Sequence, residues 1–443
     1  MMMRKYGSYW GLTAAAGLGS MLGSGIIVGL ASTITVWQAG LNLTNSQVGI
    51  ISGALTFAIA FGSIFGSRFA DKVGLVGVFN WVNLAYAVGA LVCVFASNFM
   101  TLLLGTVIAG VASGTDLPVS LTIISRDAPD QKMASQMVAS TQIFWQVGQF
   151  VSTGAAFIVS TMSVTGGRIV FAIFAAVAGI VWLWRTLSGT IKKLHTAAAE
   201  RLAAVKNAGE ESNANGASII RTLFKDPNHK KYLYLFSSIL IYYVFWNFIA
   251  NTLGQFTTFV LVKAGASQTL STGIGLGLHI AALFILGIYV TIAGSAKRNT
   301  WFGIGVVCAL IAMGGLAIFG SDSIAMIVAF MLIWGVGSML SGEAIYKVWT
   351  QESFPAEIRA SIQGFINGFS RFLCGLLAIV TPLLVLPGTI KTTMWGFVGV
   401  VIIFGLAGFS MIRAEKKYGM LKDGDQQDDS KQTPAKHSAQ SNS

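Results

Sequence analysis

Four strong charges sit inside long apolar runs of this chain: Asp116, Glu343, Lys347 and Arg371. A charge in such a setting is costly, so each is a candidate for function by default. Glu343 and Lys347 stand four residues apart, on one helical face and in the favourable order for an ion pair. That spacing suits a plain structural pair, a place along a substrate path, or both at once. Asp116 is the one acid deep in the first half of the chain, which makes it a candidate to take up and release a proton. A hydrogen-bonded structural Asp beside the Pro118 bend is the alternative. Arg371 lies roughly 18 Å along a helix from Arg359 at 1.5 Å per residue, near mid-run, as a ligand-binding cation or the partner of an acid.

Uncharged polar residues form two stripes. Gln142, Gln146 and Gln149 recur at i, i+4 and i+7, and Asn247, Asn251 and Gln255 at i, i+4 and i+8. Each set shares one helix face. A carboxamide offers donors and an acceptor together, which suits the mixed hydroxyls of a sugar or polyol; hydrogen bonding between helices is the plainer use. Trp246, with Tyr242 and Tyr243, offers a stacking surface beside the second stripe. No phosphate-cradling loop, metal-ligand spacing or nucleophilic triad stands out, and Cys93, Cys308 and Cys374 lie far apart inside apolar runs. The expectation is therefore no metal, no cofactor and no enzyme.

The elements that carry these residues are apolar throughout. The chain is 54% hydrophobic and 10% charged, with a mean hydropathy of +0.69, against about 25% charge in an ordinary soluble domain. Apolar runs cover 10–37, 46–67, 74–96, 99–124, 133–162 and 166–188, then 231–262, 270–295, 300–319, 323–349, 359–384 and 389–412. About 20 such residues make a membrane-crossing helix, and a bilayer admits only helices or closed barrels. These continuous runs lack the short alternating strands of a barrel. The predicted fold class is all-α integral membrane, with 12 transmembrane helices. Residues 1–188 and 231–413 form two six-helix halves, 189–230 a linker with an amphipathic helix over 191–207, and 414–443 a disordered tail.

The net charge of +12 invites a nucleic-acid reading, but its distribution sets topology instead. With both termini inside, the outward loops hold only Arg168, Lys263 and Lys391 of the 29 basic residues, and nearly all the others flank the inner side. The expected location is a bacterial-type cytoplasmic membrane, crossed many times, with both termini cytoplasmic. Membrane lipid is the expected partner there, with no nucleic acid. Two six-helix halves joined by an inner loop form a transporter layout whose substrate site lies near the midplane between them. Glycine pairs at small-xxx-small spacing, Gly19/Gly23, Gly25/Gly29, Gly62/Gly66 and Gly364/Gly368, fit close helix packing.

Short motifs narrow the class. The run from Gly66 through Asp71-Lys72 to Gly74 resembles the inner-loop signature of the major facilitator superfamily, with Leu75-Val76 in place of the usual basic pair. Glu352-Ser353-Phe354-Pro355 with Arg359 is similar to the Glu-x-Phe-Pro-x-x-x-Arg signature of its sugar-porter branch. Gly110, Gly114, Asp116 and Pro118 resemble a glycine-rich Asp-x-Pro motif of the same group. The branch's Pro-Glu-Ser-Pro-Arg segment is absent after the sixth span, where Trp184-Arg185-Thr186-Leu187-Ser188 stands instead. No acid lies in the first span, and Lys347 stands where a sugar-stacking tryptophan is common. The run Gly342 to Trp349 is closest to a bacterial inositol-transporter-like subgroup.

The resemblance implies alternating access and proton-coupled uptake of a neutral polyol or sugar, with myo-inositol the first guess. A small-molecule substrate and protons as partners, and a monomeric chain, are part of what it implies. It places the amides of the fifth and seventh spans on hydroxyl recognition, and Asp71, Glu352 and Arg359 in an inner gate. Substrate contacts are then expected from Gln142, Gln146, Gln149, Asn247, Asn251, Gln255, Trp246, Glu343, Lys347 and Arg371, with Asp116 carrying the coupling proton. The runner-up cargo is a small organic anion bound by Arg371 or Lys347. A membrane-embedded enzyme and a sensor without flux are the rivals of another class.

Overall fold

A computed structural model of the chain describes residues 2–207, 227–293, 298–320, 323–354 and 356–418. Among the described residues all regular structure is helical, in fourteen α-helices. The first six are α1 Met2–Gly40, α2 Asn45–Val73, α3 Leu75–Val94, α4 Phe99–Asp127, α5 Gln131–Ile158 and α6 Ser163–Leu187. After α7 Gly189–Asn207 come α8 His229–Lys263, α9 Gln268–Ala293, α10 Arg298–Phe319, α11 Ile324–Leu340, α12 Glu343–Ser353, α13 Ala356–Leu384 and α14 Ile390–Lys417. Eleven helical segments are long and apolar enough to cross a membrane, one of them the joined α11–α12 stretch Ile324–Thr350. α5 is the twelfth, and its glutamines keep its hydropathy below that of the others. The protein is an all-α integral membrane protein of 12 spans.

Helix starts follow from local chemistry. Thr44 and Gln47 cap α2 reciprocally, Asn98 and Thr101 do the same for α4, and Asp130 and Ser323 accept from the third N–H of α5 and α11. Gly74 joins α2 to α3 in a single residue at φ 111°, a conformation open to glycine and strained for any other residue. Glycine also sets helix contact. A Cβ at Gly62 or Gly66 would collide with α4, and one at Gly25 or Gly29 would press on Phe174 of α6. Gly23 sits against Ser113 and Trp145, and Gly368 against Ile64. Gly364 has open space around it, so its pairing with Gly368 is no packing motif.

The amphipathic α7 docks on the face that carries the chain's described ends. It buries Ile191 and Ala198, and His195 Nδ1 pairs with the buried Asp127 carboxylate at the end of α4. Arg201 donates to the terminal carbonyls of the same helix, Asp127 O at 2.8 Å and Ala128 O at 3.0 Å. Residues 208–226 of the expected linker and most of the expected tail lie outside the described residues.

The seam between the halves is closed at the opposite face. Thr35 Oγ1 donates to Gln268 Oε1 at 2.5 Å, and Gln268 Nε2 to Ser32 O at 2.8 Å. Ser160 and Thr269 share a hydrogen bond of 2.8 Å, and deeper in, Gln255 Nε2 donates to Thr56 Oγ1 at 3.0 Å. α2 packs against α13, where Phe57 meets Phe372 at 5.3 Å between ring centroids. Every described hydrogen bond between the halves lies on this side or at mid-depth. Gln268 alone makes two of them, worth about 1 kcal/mol each. Gln268→Ala should therefore shift the equilibrium towards the state open at this face by roughly tenfold or more. Reaction of a cysteine placed beside Thr35 with an impermeant thiol reagent reads that shift, and an unchanged rate would remove Gln268 from the closure.

Candidate functional site

At mid-depth in the second half the tenth span breaks. α11 ends at Leu340 and α12 begins at Glu343, with Ser341 and Gly342 between them. The Tyr242 hydroxyl of α8 reaches Ser341 O at 2.5 Å and, at 2.8 Å, Gly342 O, which also accepts from Tyr346 N–H at the start of α12. The Trp246 indole lies on Gly342, close enough that a Cβ there would clash with it. Tyr243 stacks on Tyr346 at 3.8 Å between centroids and, at 5.8 Å, on Trp246. These rings are spent on one another: Tyr242, Tyr243 and Trp246 are buried, so the expected aromatic platform packs the break instead of facing a cavity.

The break puts Glu343 at the head of a helix, with Lys347 Nζ 2.9 Å from its carboxylate. Both side chains are well exposed, 48% and 38%, though they sit in the middle of a span. The pair expected from their spacing forms. Arg371 of α13 is half-buried, its Nε donating to Asn367 Oδ1 at 3.0 Å, and it lies within electrostatic reach of Glu343 and Tyr243.

The stripe on α8 is engaged along its length. Asn247 Nδ2 donates to Ser370 Oγ at 2.9 Å, fixing α8 to α13 one residue from Arg371. Gln255 Nε2 donates to Asn251 Oδ1 at 2.8 Å as well as to Thr56 of the first half. Asn251 Nδ2 is buried and without a partner. On α5, Gln142 is exposed and Gln146 and Gln149 are half-buried, with no side-chain hydrogen bond among the described residues. Thr153 continues their face and touches the Gly275 position of α9, so this stripe also looks onto the seam.

Asp116 departs from expectation. The proton-carrier reading gives way to the structural alternative, because Arg185 at the end of α6 pairs with Asp116, Nη1 to Oδ1 at 2.5 Å and Nη2 to Oδ2 at 3.3 Å. Ser120 Oγ donates to the same carboxylate at 3.0 Å. The arginine is fully buried, donates further to Ala15 O and Phe79 O, and lies 4.0 Å over the Phe79 ring. A Cβ at Gly19 would strike this pair, which is why α1 passes it with a glycine. A carboxylate held this way has no free lone pair facing solvent, so the reason for assigning it the coupling proton is gone. Arg185 was missed because it stands two residues from the end of its helix, where basic residues normally flank a membrane.

Of the expected gate residues, the side chains of Asp71 and Arg359 lie outside the described residues. Glu352 binds Arg298 with both oxygens, at 2.8 and 2.5 Å, and Arg298 also donates to the buried Glu415 at 2.8 Å. This ties α10, α12 and α14 together within the second half. No cluster of three or more metal-ligating side chains occurs among the described residues.

Twelve spans, a broken helix at mid-depth and polar side chains along the seam define a membrane carrier of the two-domain kind. The chain matches the Major Facilitator Superfamily over residues 12–378, and it belongs to that family. It is 28% identical over 402 residues to the minor myo-inositol transporter IolF of Bacillus subtilis (strain 168), covering 89% of each protein. It is 25% identical to the niacin transporter NiaP of Acinetobacter baylyi (strain ATCC 33305 / BD413 / ADP1), over 85% of this chain and 88% of that one. Among solved structures it resembles a D-xylose-proton symporter, with a TM-score of 0.69 at 16% identity over 94% of this chain and 98% of that one. The inward-open xylose transporter XylE from E. coli aligns with a TM-score of 0.70 at 13% identity, over 94% and 97%. The chain is a secondary transporter, not an enzyme.

Removing one member of a buried ion pair leaves the other uncompensated, at about 3–5 kcal/mol. Asp116→Asn should accordingly lower the melting temperature of the detergent-solubilised protein by several degrees. Asp116→Asn combined with Arg185→Met should recover most of the loss. A single variant as stable as the parent would show that the pair does not hold the first half together.

Proposed function

We propose that the chain takes up a polyol or sugar across the cytoplasmic membrane by alternating access, coupled to protons, with myo-inositol as the first cargo to test. The observation that carries this reading is the unpaired Nδ2 of Asn251, a buried donor on the seam beside Gln255, opposite a half in which Gln146 and Gln149 have free carboxamides. Amides of both halves on one seam suit a ligand bearing many hydroxyls. The names of the relatives, a myo-inositol transporter and a D-xylose-proton symporter, support the same cargo class and the coupling ion. The basic bias of the face carrying α7 supports cytoplasmic termini, and the carrier works as a monomer.

In this reading the face closed by Gln268 is the outer one. Glu343 takes the coupling role, because it is a mid-span acid whose ion pair with Lys347 is only partly buried, with Arg371 in electrostatic reach. Asp71 and Arg359 close the cytoplasmic ends in the opposite state, with Glu352 held ready on Arg298.

Uptake of labelled inositols, hexoses and pentitols, with and without a protonophore, tests the function. Accumulation of a polyol that collapses with the protonophore is expected; absence of flux for every solute would sink it. Asn251→Ala and Gln146→Ala each remove a hydroxyl partner worth about 1–3 kcal/mol, so affinity should fall roughly tenfold with membrane insertion intact. Glu343→Gln should abolish uphill accumulation while sparing exchange of labelled for unlabelled substrate. Proton-driven accumulation persisting in that variant would rule Glu343 out.

A further inference from the structure

The charges held inside the helices do not balance as they do in the sequence. Asp116 closes on Arg185, and Glu343 on Lys347. Arg371 is left over. Its Nε is satisfied by Asn367, a neutral carboxamide of its own helix, and among the described residues no carboxylate lies within 4.0 Å of it. The centre of the second half therefore carries one uncompensated positive charge, at a depth where charges are paired or put to use.

The unsatisfied groups on the neighbouring α8 are mostly donors. α8 holds three buried side-chain atoms without a partner: Trp246 Nε1, Asn251 Nδ2 and Thr252 Oγ1. The first two are N–H groups that can only donate, and the third can do either. The carbonyl of Asn251 already accepts from Gln255, so the group of this side chain left without any partner is its donor. Trp246, more than nine-tenths buried, lies on Gly342, where α12 opens without a side-chain cap on its first N–H groups. Asn247, bonded to Ser370, brings this stripe up to Arg371. A neutral polyol brings a donor with each acceptor, whereas a carboxylate only accepts and matches a guanidinium fork with two parallel bonds.

We infer that the cargo site takes a hydroxylated monocarboxylate, of the size of an aldonate or uronate, with its carboxylate on Arg371 and its hydroxyls on the amide stripes. This deepens the reading as a polyol carrier and rests on it. The cation is Arg371 and not Lys347, because Lys347 is already neutralised by Glu343.

The protein reconstituted in liposomes, as wild type, Arg371→Gln and Arg371→Lys, is assayed for uptake of labelled gluconate, glucuronate and myo-inositol. Wild type should transport at least one of the two carboxylates. Arg371→Gln should lower the ratio of carboxylate to inositol affinity roughly tenfold or more, the worth of a charged hydrogen bond. Arg371→Lys should keep most of that ratio. Thermal stabilisation of the detergent-solubilised wild type by gluconate, weakened by added salt, gives a readout independent of flux and of the variants' folding. If inositol is transported while neither carboxylate is carried, competes or stabilises, the inference fails and the polyol-carrier reading stands. If the ratio is the same in all three proteins, Arg371 does not read the carboxylate and the inference fails as well. If no solute is carried and none stabilises, the carrier reading falls and takes the inference with it.

Discussion

A carbonyl released by a helix break inside a bilayer has no water to turn to, and each such group left unpaired costs several kcal/mol. The Tyr242 hydroxyl meets that demand at the tenth span by donating to Ser341 O, close beside Gly342 O, which Tyr346 N–H also serves. Much of the second half follows from this one contact. With the break held, α12 starts afresh at Glu343, so Glu343 and Lys347 come to mid-depth on a turn with no helix continuing above it. Tyr243 and Tyr346 then meet face to face, and Trp246 covers Gly342 because glycine leaves room for an indole. A larger residue at 342 would displace the tryptophan and, with it, the start of the amide stripe on α8.

Two ion pairs of like composition end in opposite roles because of what surrounds them. Around Asp116 and Arg185 nearly every polar atom has a partner: two backbone carbonyls, a serine and an aromatic face complete the set. Such a pair gains little net stability over apolar packing, but breaking it is expensive, so it fixes α1, α3, α4 and α6 in one arrangement. Glu343 and Lys347 hold each other with Arg371 in electrostatic reach, and both side chains keep accessible surface. An exposed pair is worth about 0–1 kcal/mol, which leaves it free to open. The first pair is a rivet and the second a contact that can change during a transport cycle.

The span pattern was legible because a bilayer imposes it. Runs such as 99–124 and 166–188 have one possible use, and the structure places α4 and α6 over them. The amphipathic helix at 191–207 was legible for a similar reason, its apolar face having to rest on something. The pairings were not. Arg185 looked like a flank residue because sequence position measures depth along its own helix and not relative to α4, whose end extends further. The partnership of Gln268 with Ser32 and Thr35 joins residues more than 200 positions apart, and no local periodicity encodes it. The Ser341-Gly342 break was not legible, since 323–349 reads as one continuous apolar run and the phenol that holds the break stands 99 positions away.

The seam explains how such a molecule can be stable and still move. Within each half, contact is by glycine-led close approach and a buried ion network, both of which resist small displacement. Between the halves, the described polar contacts are neutral hydrogen bonds: Thr35 and Ser32 with Gln268, Ser160 with Thr269, and Thr56 with Gln255. Each contributes about 1 kcal/mol, so the closure they provide is a few kcal/mol, within the range that a ligand's differential affinity can overturn. A salt bridge at those positions would lock the face, and a purely apolar contact would leave no directional bond to re-form on return. Gln255 bonds Thr56 across the seam while its neighbour Asn251 holds a free donor. A ligand that engages Asn251 thus acts one bond away from the closure itself, which gives cargo binding a direct mechanical route to the gate.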